Sequence, residues 1–430
     1  MYFRSLNGNS SKVNFETALK KGLADDGGLF FPEKISPLRK DFIENIENYS
    51  NIEIAYEVIK QFVGCSIDET DLKNILSNTI DFDFPLVKLE KNVYSLELFH
   101  GPTLAFKDVG ARFMANCLGY FNKNENKTNT VLVATSGDTG AAVANGFLKV
   151  KGTNVVILYP KNKVSEIQEI QLTTNGNNIT ALRVDGSFDD CQKIVKNAFV
   201  DKKINNKLNL TSANSINVAR WLPQAFYYFY AFKKLKKKNL VFSVPSGNFG
   251  NICAGLIAMK LGLPIDHFIA STNSNDTIPR YFKSQVLKPK PTIPTISNAM
   301  DVSKPSNFIR IQEMLGDFKN LSYFMSSYSF DDNQTLAVVK KIYQKNKYIL
   351  DPHGAIGYLG LNKYLLTNPK KIGVFLETAH PVKFSKHIEK TIKIKLDIPE
   401  KINKILLKKK KYIDIENYDD FRDKILSLKV

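Results

Sequence analysis

From Thr130 onward a short β-branched or apolar run, a small-residue turn and an amphipathic stretch follow one another repeatedly, and this recurrence constrains the chain more than any other feature. Val131-Leu132-Val133-Ala134 leads through Ser136-Gly137-Asp138 into a predicted helix over 141–148. A strand over 155–159 and a helix over 165–172 come next, then a strand over 179–184. Ser187, with Asp190 three residues on, reads as a capping box opening a helix that runs to Phe199. Strands over 240–244, 267–270 and 372–375 continue the series. Runs that are apolar throughout, with no alternation, predict parallel strands covered by helices on both faces, hence an α/β architecture.

Two flanking regions differ from this core. Residues 1–83 read as helical, with candidates over 15–21, 41–48 and 52–62 interrupted by Gly27-Gly28 and Pro32. After His380 the chain turns Lys- and Ile-rich with few turn signals, which predicts a helical C-terminal extension over 381–430. The catalytic chemistry is therefore sought in residues 84–380.

Composition removes several alternatives. No apolar run approaches the roughly 20 residues that cross a bilayer, since 252–259 is ended by Lys260. Met1-Tyr2-Phe3-Arg4 runs into Asn7, Asn9 and Ser10 without a signal-like apolar segment, so a cytoplasmic address is expected. Cys65, Cys117, Cys191 and Cys253 stand singly and predict buried, reduced thiols; no spacing suggests a metal site. The excess of 60 basic over 42 acidic residues gives a net charge of +18. The lysine runs at 233–238 and 408–411 lack the aromatic interleaving of a nucleic-acid module and read as solvated helix ends and tails, so no nucleic-acid partner is expected.

Three segments carry candidate chemistry. Ser246-Gly247-Asn248-Phe249-Gly250-Asn251 lies between a strand and a helix, where free N–H groups and the positive helix end hold phosphate; an ordinary turn has the same local pattern. It is not G-x-G-x-x-G, and no P-loop occurs anywhere in the chain. Ala134-Thr135-Ser136-Gly137-Asp138-Thr139-Gly140 sits at a similar junction, suited either to a carboxylate or to plain βα connection. In His100-Gly101-Pro102-Thr103-Leu104-Ala105-Phe106-Lys107-Asp108 one lysine stands among small and apolar neighbours. Such a lysine is either a desolvated amine ready for Schiff-base chemistry or a surface residue paired with Asp108.

Taken in order, these segments resemble the threonine synthase family, pyridoxal-phosphate enzymes of fold type II related to tryptophan synthase β. The similarity extends to Gly22-Leu23-Ala24-Asp25-Asp26-Gly27-Gly28-Leu29-Phe30-Phe31-Pro32, a string particular to that family. It continues in Glu97-Leu98-Phe99, Ser212-Ala213-Asn214-Ser215-Ile216-Asn217, Asn298-Ala299-Met300-Asp301-Val302 and Glu377-Thr378-Ala379-His380-Pro381. One departure is Asn251, where some members carry Asp; the backbone donors of that loop are unaffected.

The resemblance implies two parallel-sheet lobes over 84–380 and conversion of O-phospho-L-homoserine and water to L-threonine and phosphate, in a monomer or homodimer. It implies that Lys107 binds the cofactor aldehyde and then moves protons at the substrate carbons. Gly247, Asn248, Phe249 and Asn251 would take the cofactor phosphate, and Thr378 would face the pyridine nitrogen. Thr135, Ser136, Asp138 and Thr139 would take the substrate α-carboxylate, with Asp138 itself more a structural acceptor than an anion ligand. Asn214, Ser215 and Arg220 would take the substrate phosphate, Arg220 as a bidentate clamp. His100, His380 and His353 are assigned no catalytic role, His353 being expected to open a helix. The rival readings are a serine or threonine dehydratase or cysteine synthase of the same fold, against which the N-terminal region and the 214–220 segment count, and a non-catalytic binding protein.

Overall fold

The computed structural model describes residues 1–124 and 128–428. Strands β1 (Phe3–Ser5) and β2 (Phe30–Pro32) pair antiparallel within the N-terminal region, alongside helices Phe15–Lys21, Asn51–Val63 and Glu69–Thr79. The helical reading of this region omitted that small sheet, whose three-residue strands are too short to show a period. The helix Asn51–Val63 starts at a Ser50/Glu53 capping box and buries Ile54, Ala55, Val58, Ile59, Phe62 and Val63, one helical stripe.

Two sheets follow. The larger one contains β3 (Leu86–Glu90) and β4 (Val93–Glu97); the smaller is built on β5 (Asn129–Ala134), β6 (Thr153–Pro160), β7 (Ile179–Val184) and β8 (Asn209–Ser212). The chain then returns to the larger sheet with β9 (Leu240–Pro245), β10 (Ile265–Thr272), β11 (Met325–Ser329) and β12 (Ile372–Glu377), and ends on the smaller with β13 (Ile413–Ile415). The larger sheet runs β11-β10-β9-β12-β4-β3, parallel except for the antiparallel β3–β4 edge. The smaller runs β13-β7-β6-β5-β8 and is parallel throughout.

All six residues of β5 and of β9 are buried, as strands covered on both faces must be. The Ser187–Asp190 capping box is present and opens the helix Phe188–Val200. The C-terminal extension is helical over Ser385–Ile392, Glu400–Leu406 and Tyr418–Ser427, but β13 between the last two adds an edge strand to the smaller sheet. Ile413-Asp414-Ile415 is too short and polar to announce a strand; Arg183 on β7 pairs with Asp414 at 2.7 Å and helps anchor it.

Two surface expectations change. Cys65 is exposed, whereas Cys117, Cys191 and Cys253 are buried, because Cys65 lies in a short turn after a helix and the other three lie inside helices that face the core. The lysine run at 233–238 is partly bound rather than wholly solvated: Lys233 and Lys234 donate to the carbonyls of Tyr49 and Phe84 at 2.6 and 2.7 Å, tying the end of their helix to distant backbone. Among the described residues no helix is long and apolar enough to cross a membrane.

Candidate active site

In both sheets the functional loops leave the carboxyl ends of strands, the place where α/β folds open a crevice. β5 delivers Thr135 to Gly137, β8 delivers Asn214, β9 delivers Ser246 to Phe249, and β12 delivers Thr378. One cavity is lined by Lys107, Ser136, Asp138, Thr139, Asn214, Ser215, Arg220, Gly247, Asn248, Phe249, Asn251 and Thr378, joined by residues such as Gln224, Met300 and His353.

Lys107 is the first residue of the helix Lys107–Phe121. Its position comes from a short antiparallel bridge: Ala105 pairs with Ala379, the Phe106 N–H donates to Thr378 O at 2.9 Å, and the His380 N–H donates to Leu104 O at 3.1 Å. Leu104 has φ of 59°, a left-handed conformation uncommon for a branched residue, held here by both neighbours of the bridge. Asp108 does not pair with the lysine beside it. Its carboxylate turns back to accept from the Thr103 N–H at 2.9 Å and hydroxyl at 2.5 Å. The Lys107 ammonium is left without a hydrogen-bonding partner among the described residues. Burial lowers its pKa to about 8; Asp138 opposes that shift, while Lys383 and Arg220 add to it.

The loop after β9 is an anion nest. The N–H groups of Gly247, Asn248, Phe249, Gly250 and Asn251 meet no acceptor among the described residues, and the helix Gly250–Lys260 begins there. Phe249 holds φ at 62° to turn these donors inward. Asn251 donates to Pro245 O at 2.8 Å and braces the loop with its side chain, while its backbone N–H stays free. Gly247 has no room for a side chain: a Cβ there would stand 2.8 Å from Ala299 O and 2.9 Å from Met300 Cα. Free amine, five convergent N–H groups and the Thr378 hydroxyl together fit a phosphate-bearing aldehyde such as pyridoxal phosphate.

The loop after β5 is a second nest. The N–H groups of Ser136, Asp138 and Thr139 are free, and Gly137 reaches φ of 132°, a conformation closed to other residues. Thr135 departs from expectation. It does not line the cavity; its hydroxyl oxygen accepts from the N–H groups of Gly137 and Gly140, both at 2.9 Å, and so shapes the loop from behind. Asp138 is a structural acceptor as read, taking Gln168 Nε2 at 2.9 Å and Lys383 Nζ at 2.7 Å. Burial alone would raise its pKa, but Lys383 and Lys107 outweigh that and hold it well below the ordinary carboxylate range.

Asn214, Ser215 and Arg220 reach the cavity from the far side of β8. The Asn214 amide donates to Ala134 O at 2.8 Å and accepts from Ala134 N at 3.3 Å, so it chiefly ties the end of β5 in place. Arg220 is 2% exposed, not a surface residue. One amino group donates to Ala213 O, its Nε has no partner, and burial lowers its pKa to about 10. A buried cation with unfilled donors beside a cavity is a site for an anion.

Sequence reasoning overlooked Lys383 and Gln168 and gave His353 no place here. His353 opens the helix Pro352–Thr367 as expected and also reaches the cavity wall, where Nδ1 lies 2.5 Å from Asp351 and Nε2 accepts from Ala299 N at 3.3 Å. No local signal marks Lys383 or Gln168, because their partner lies far off along the chain. His100 is away from the cavity, bonded to Glu97 at 2.7 Å, and the His380 ring accepts from Val382 N at 3.2 Å.

Comparison with known proteins agrees with this geometry. Residues 82–376 match the family model described as pyridoxal-phosphate dependent enzyme, residues 2–80 that of the threonine synthase N terminus, and residues 354–425 that of the threonine synthase C-terminal region. The chain is 47% identical over 410 residues to threonine synthase of Buchnera aphidicola subsp. Baizongia pistaciae, covering 94% of each chain. The crystal structure of threonine synthase from Escherichia coli superposes with a TM-score of 0.93 at 38% identity over 99% of both chains. The pyridoxal-phosphate-bound threonine synthase from Brucella melitensis gives 0.92 at 32% identity, over 99% of this chain and 98% of that one. With family models matching from residue 2 to residue 425 and full-length likeness to these enzymes, the chain belongs to the threonine synthase family of pyridoxal-phosphate-dependent enzymes.

Proposed function

We infer that the chain converts O-phospho-L-homoserine and water to L-threonine and phosphate, removing the γ-phosphate and adding hydroxyl at the β-carbon. The observation that carries this reading is one cavity holding a free lysine amine between two separate nests of unpaired N–H groups, with a buried, partly unfilled arginine beside them. Bound pyridoxal phosphate supplies an electron sink that stabilises carbanions at the substrate carbons. Gly247, Asn248, Phe249 and Asn251 hold its phosphate, and the Thr378 hydroxyl meets its ring nitrogen as a neutral partner.

The residues of the chain do the rest. Lys107, on a rigid helix start and with its pKa lowered to about 8, takes a proton from the substrate α-carbon and returns protons along the carbon chain. The N–H groups of Ser136, Asp138 and Thr139 orient the α-carboxylate. Ser215 and Arg220, steadied by Asn214, hold the phosphate that leaves. The reaction is placed in the cytoplasm, on small diffusible substrates and without nucleic acid.

Purified protein given phosphohomoserine should release phosphate with threonine as the stoichiometric co-product. Keto-acid release from serine or threonine without phosphohomoserine turnover would overturn the reading. Arg220→Ala should lower kcat/KM for phosphohomoserine about 10- to 100-fold, the loss of a charged hydrogen bond worth about 1.5–3 kcal/mol, with the visible cofactor spectrum unchanged. A changed spectrum without a substrate defect would remove Arg220 from the phosphate site.

The lowered pKa of Lys107 also sets a pH dependence. Only the neutral amine attacks an aldehyde, and that form grows as pH rises toward about 8. In cofactor-stripped protein, uptake by Lys107 should therefore speed up about tenfold per pH unit below that value and level off above it, read by stopped-flow absorbance. Continued acceleration to pH 10 would mean an ordinary, solvated lysine.

A further inference from the structure

Lys383 is a buried charge that the reaction as described does not use. It lies in the turn Pro381–Phe384, five residues beyond Thr378 on the continuation of β12, and is 2% exposed. Among the described residues its ammonium has one partner, Asp138 Oδ1 at 2.7 Å, across the boundary between the two sheets. Gln168 donates to the same oxygen at 2.9 Å, and its own Oε1 accepts from Asn298 at 3.2 Å. Asn298 also donates to Ser136 O at 3.2 Å. Val382, next to Lys383, packs with Leu104 and Ile167 and keeps the turn against the helix that carries Gln168.

The difficulty this arrangement solves is electrostatic. Asp138 contributes one of the three N–H donors of the second nest, so its carboxylate is covalently tied to within a few ångströms of any anion bound there. Unpaired and buried, it would repel that anion strongly, since like charges in a low-dielectric site cost far more than in water. Yet Asp138 is not incidental, because it joins the small-sheet loop to the large-sheet turn that also delivers Thr378.

We propose that Lys383 is a positioning residue for the substrate α-carboxylate: it neutralises Asp138, draws its oxygen away from the Ser136–Thr139 nest, and fixes that nest relative to Thr378. Lys383 does not line the cavity; its ammonium meets the cavity wall through Asp138. The inference rests on reading the nest as the carboxylate grip.

The test uses the cofactor-loaded enzyme and four proteins: wild type, Lys383→Met, Asp138→Asn, and the double variant. Lys383→Met should raise KM for phosphohomoserine about tenfold or more with kcat changed less than about threefold, because the added repulsion falls on binding. The double variant, with both charges gone, should bring KM at least about threefold below that of Lys383→Met, a rescue that loss of packing would not give. Inhibition by inorganic phosphate, which on the proposed function engages Ser215 and Arg220, should be unchanged within about twofold across the set.

A Lys383→Met KM within twofold of wild type overturns the proposal, as does a double variant no better than the single one, or an equal loss of phosphate inhibition. If Lys383→Met fails to fold while the double variant folds and binds, charge cancellation is upheld; if neither folds, the pair is a fold element and the proposal falls. Wild type that never turns over phosphohomoserine defeats the functional reading itself, whereas wild-type turnover with an unaltered Lys383→Met defeats this inference alone.

Discussion

Lys107→Ala is expected to abolish phosphate release from phosphohomoserine, lowering kcat by at least about 10³-fold, and to remove the visible absorbance that added cofactor acquires on binding to the protein's amine. The size of the effect follows from the number of tasks one amine performs. On the proposed function it binds the aldehyde and moves protons at successive carbons, while Asp138 and His353, which also line the cavity, are engaged with Lys383 and with Asp351 and Ala299. The fold should be little affected. Lys107 has no hydrogen-bond partner among the described residues, the turn before it is held by Asp108 and Thr103, and alanine favours a helix start as well as lysine does. Lys107→Arg is the informative control: it keeps the positive charge and cannot form the bond, so it should be equally inactive. A tenth or more of wild-type turnover in either variant would take Lys107 out of the chemistry.

Gly247→Val should weaken cofactor retention about 10- to 100-fold, measured by absorbance titration of stripped protein, with a matching fall in turnover at limiting cofactor. From sequence the expected cause is a β-branched side chain crowding the phosphate donors. In the structure the cause is a neighbour. The Cβ meets Ala299 O at 2.8 Å and Met300 Cα at 2.9 Å, backbone atoms that cannot swing aside. That turn must move or the nest must open. Because Asn298 in the same turn reaches Ser136 O, the damage should spread to substrate binding, raising KM as well. Even Gly247→Ala should show part of the effect. Unchanged cofactor affinity in both variants would mean that the loop after β9 does not hold the phosphate.

Legibility in the sequence tracked how far each feature depends on distant partners. β5, β6 and β9 could be read because a strand covered on both faces is mostly apolar, and the composition of the segment then declares it; β7 showed through Ile179, Ala181, Leu182 and Val184 despite its half-buried Thr180 and Arg183. β8, with Asn209-Leu210-Thr211-Ser212, and β11, with Met325-Ser326-Ser327-Tyr328-Ser329, escaped because they are edge strands whose polar residues are tolerated once a neighbour supplies the ladder. β4 escaped too, although it lies inside its sheet; Ser95 is buried there and hydrogen-bonds Tyr348 at 3.0 Å, a partner no local pattern announces.

The same division runs through the site. Glycine-bearing loops at strand-to-helix junctions are local geometry, so the segments 134–140 and 246–251 and the lysine at 107 were visible as residues, and the resemblance supplied their roles. Which way each side chain points was not. Thr135 turned to its own loop, Asn214 to the end of β5, and Arg220 inward from a position next to Trp221 that could equally have faced solvent.

What the chain's order of residues determined alone was the parallel α/β core, the helix start at the Ser187–Asp190 capping box, the family string near the N terminus and the places of the two small-residue loops, all set by near neighbours and by the solubility of each segment in water or in a core. Tertiary structure decided which charges survive burial. Lys383 and Asp138 stand 245 positions apart and meet at 2.7 Å. Neither is interpretable without the other, because an ion taken out of water is tolerable only when its counter-ion is brought to it, and that requires two sheets to be folded against one another first.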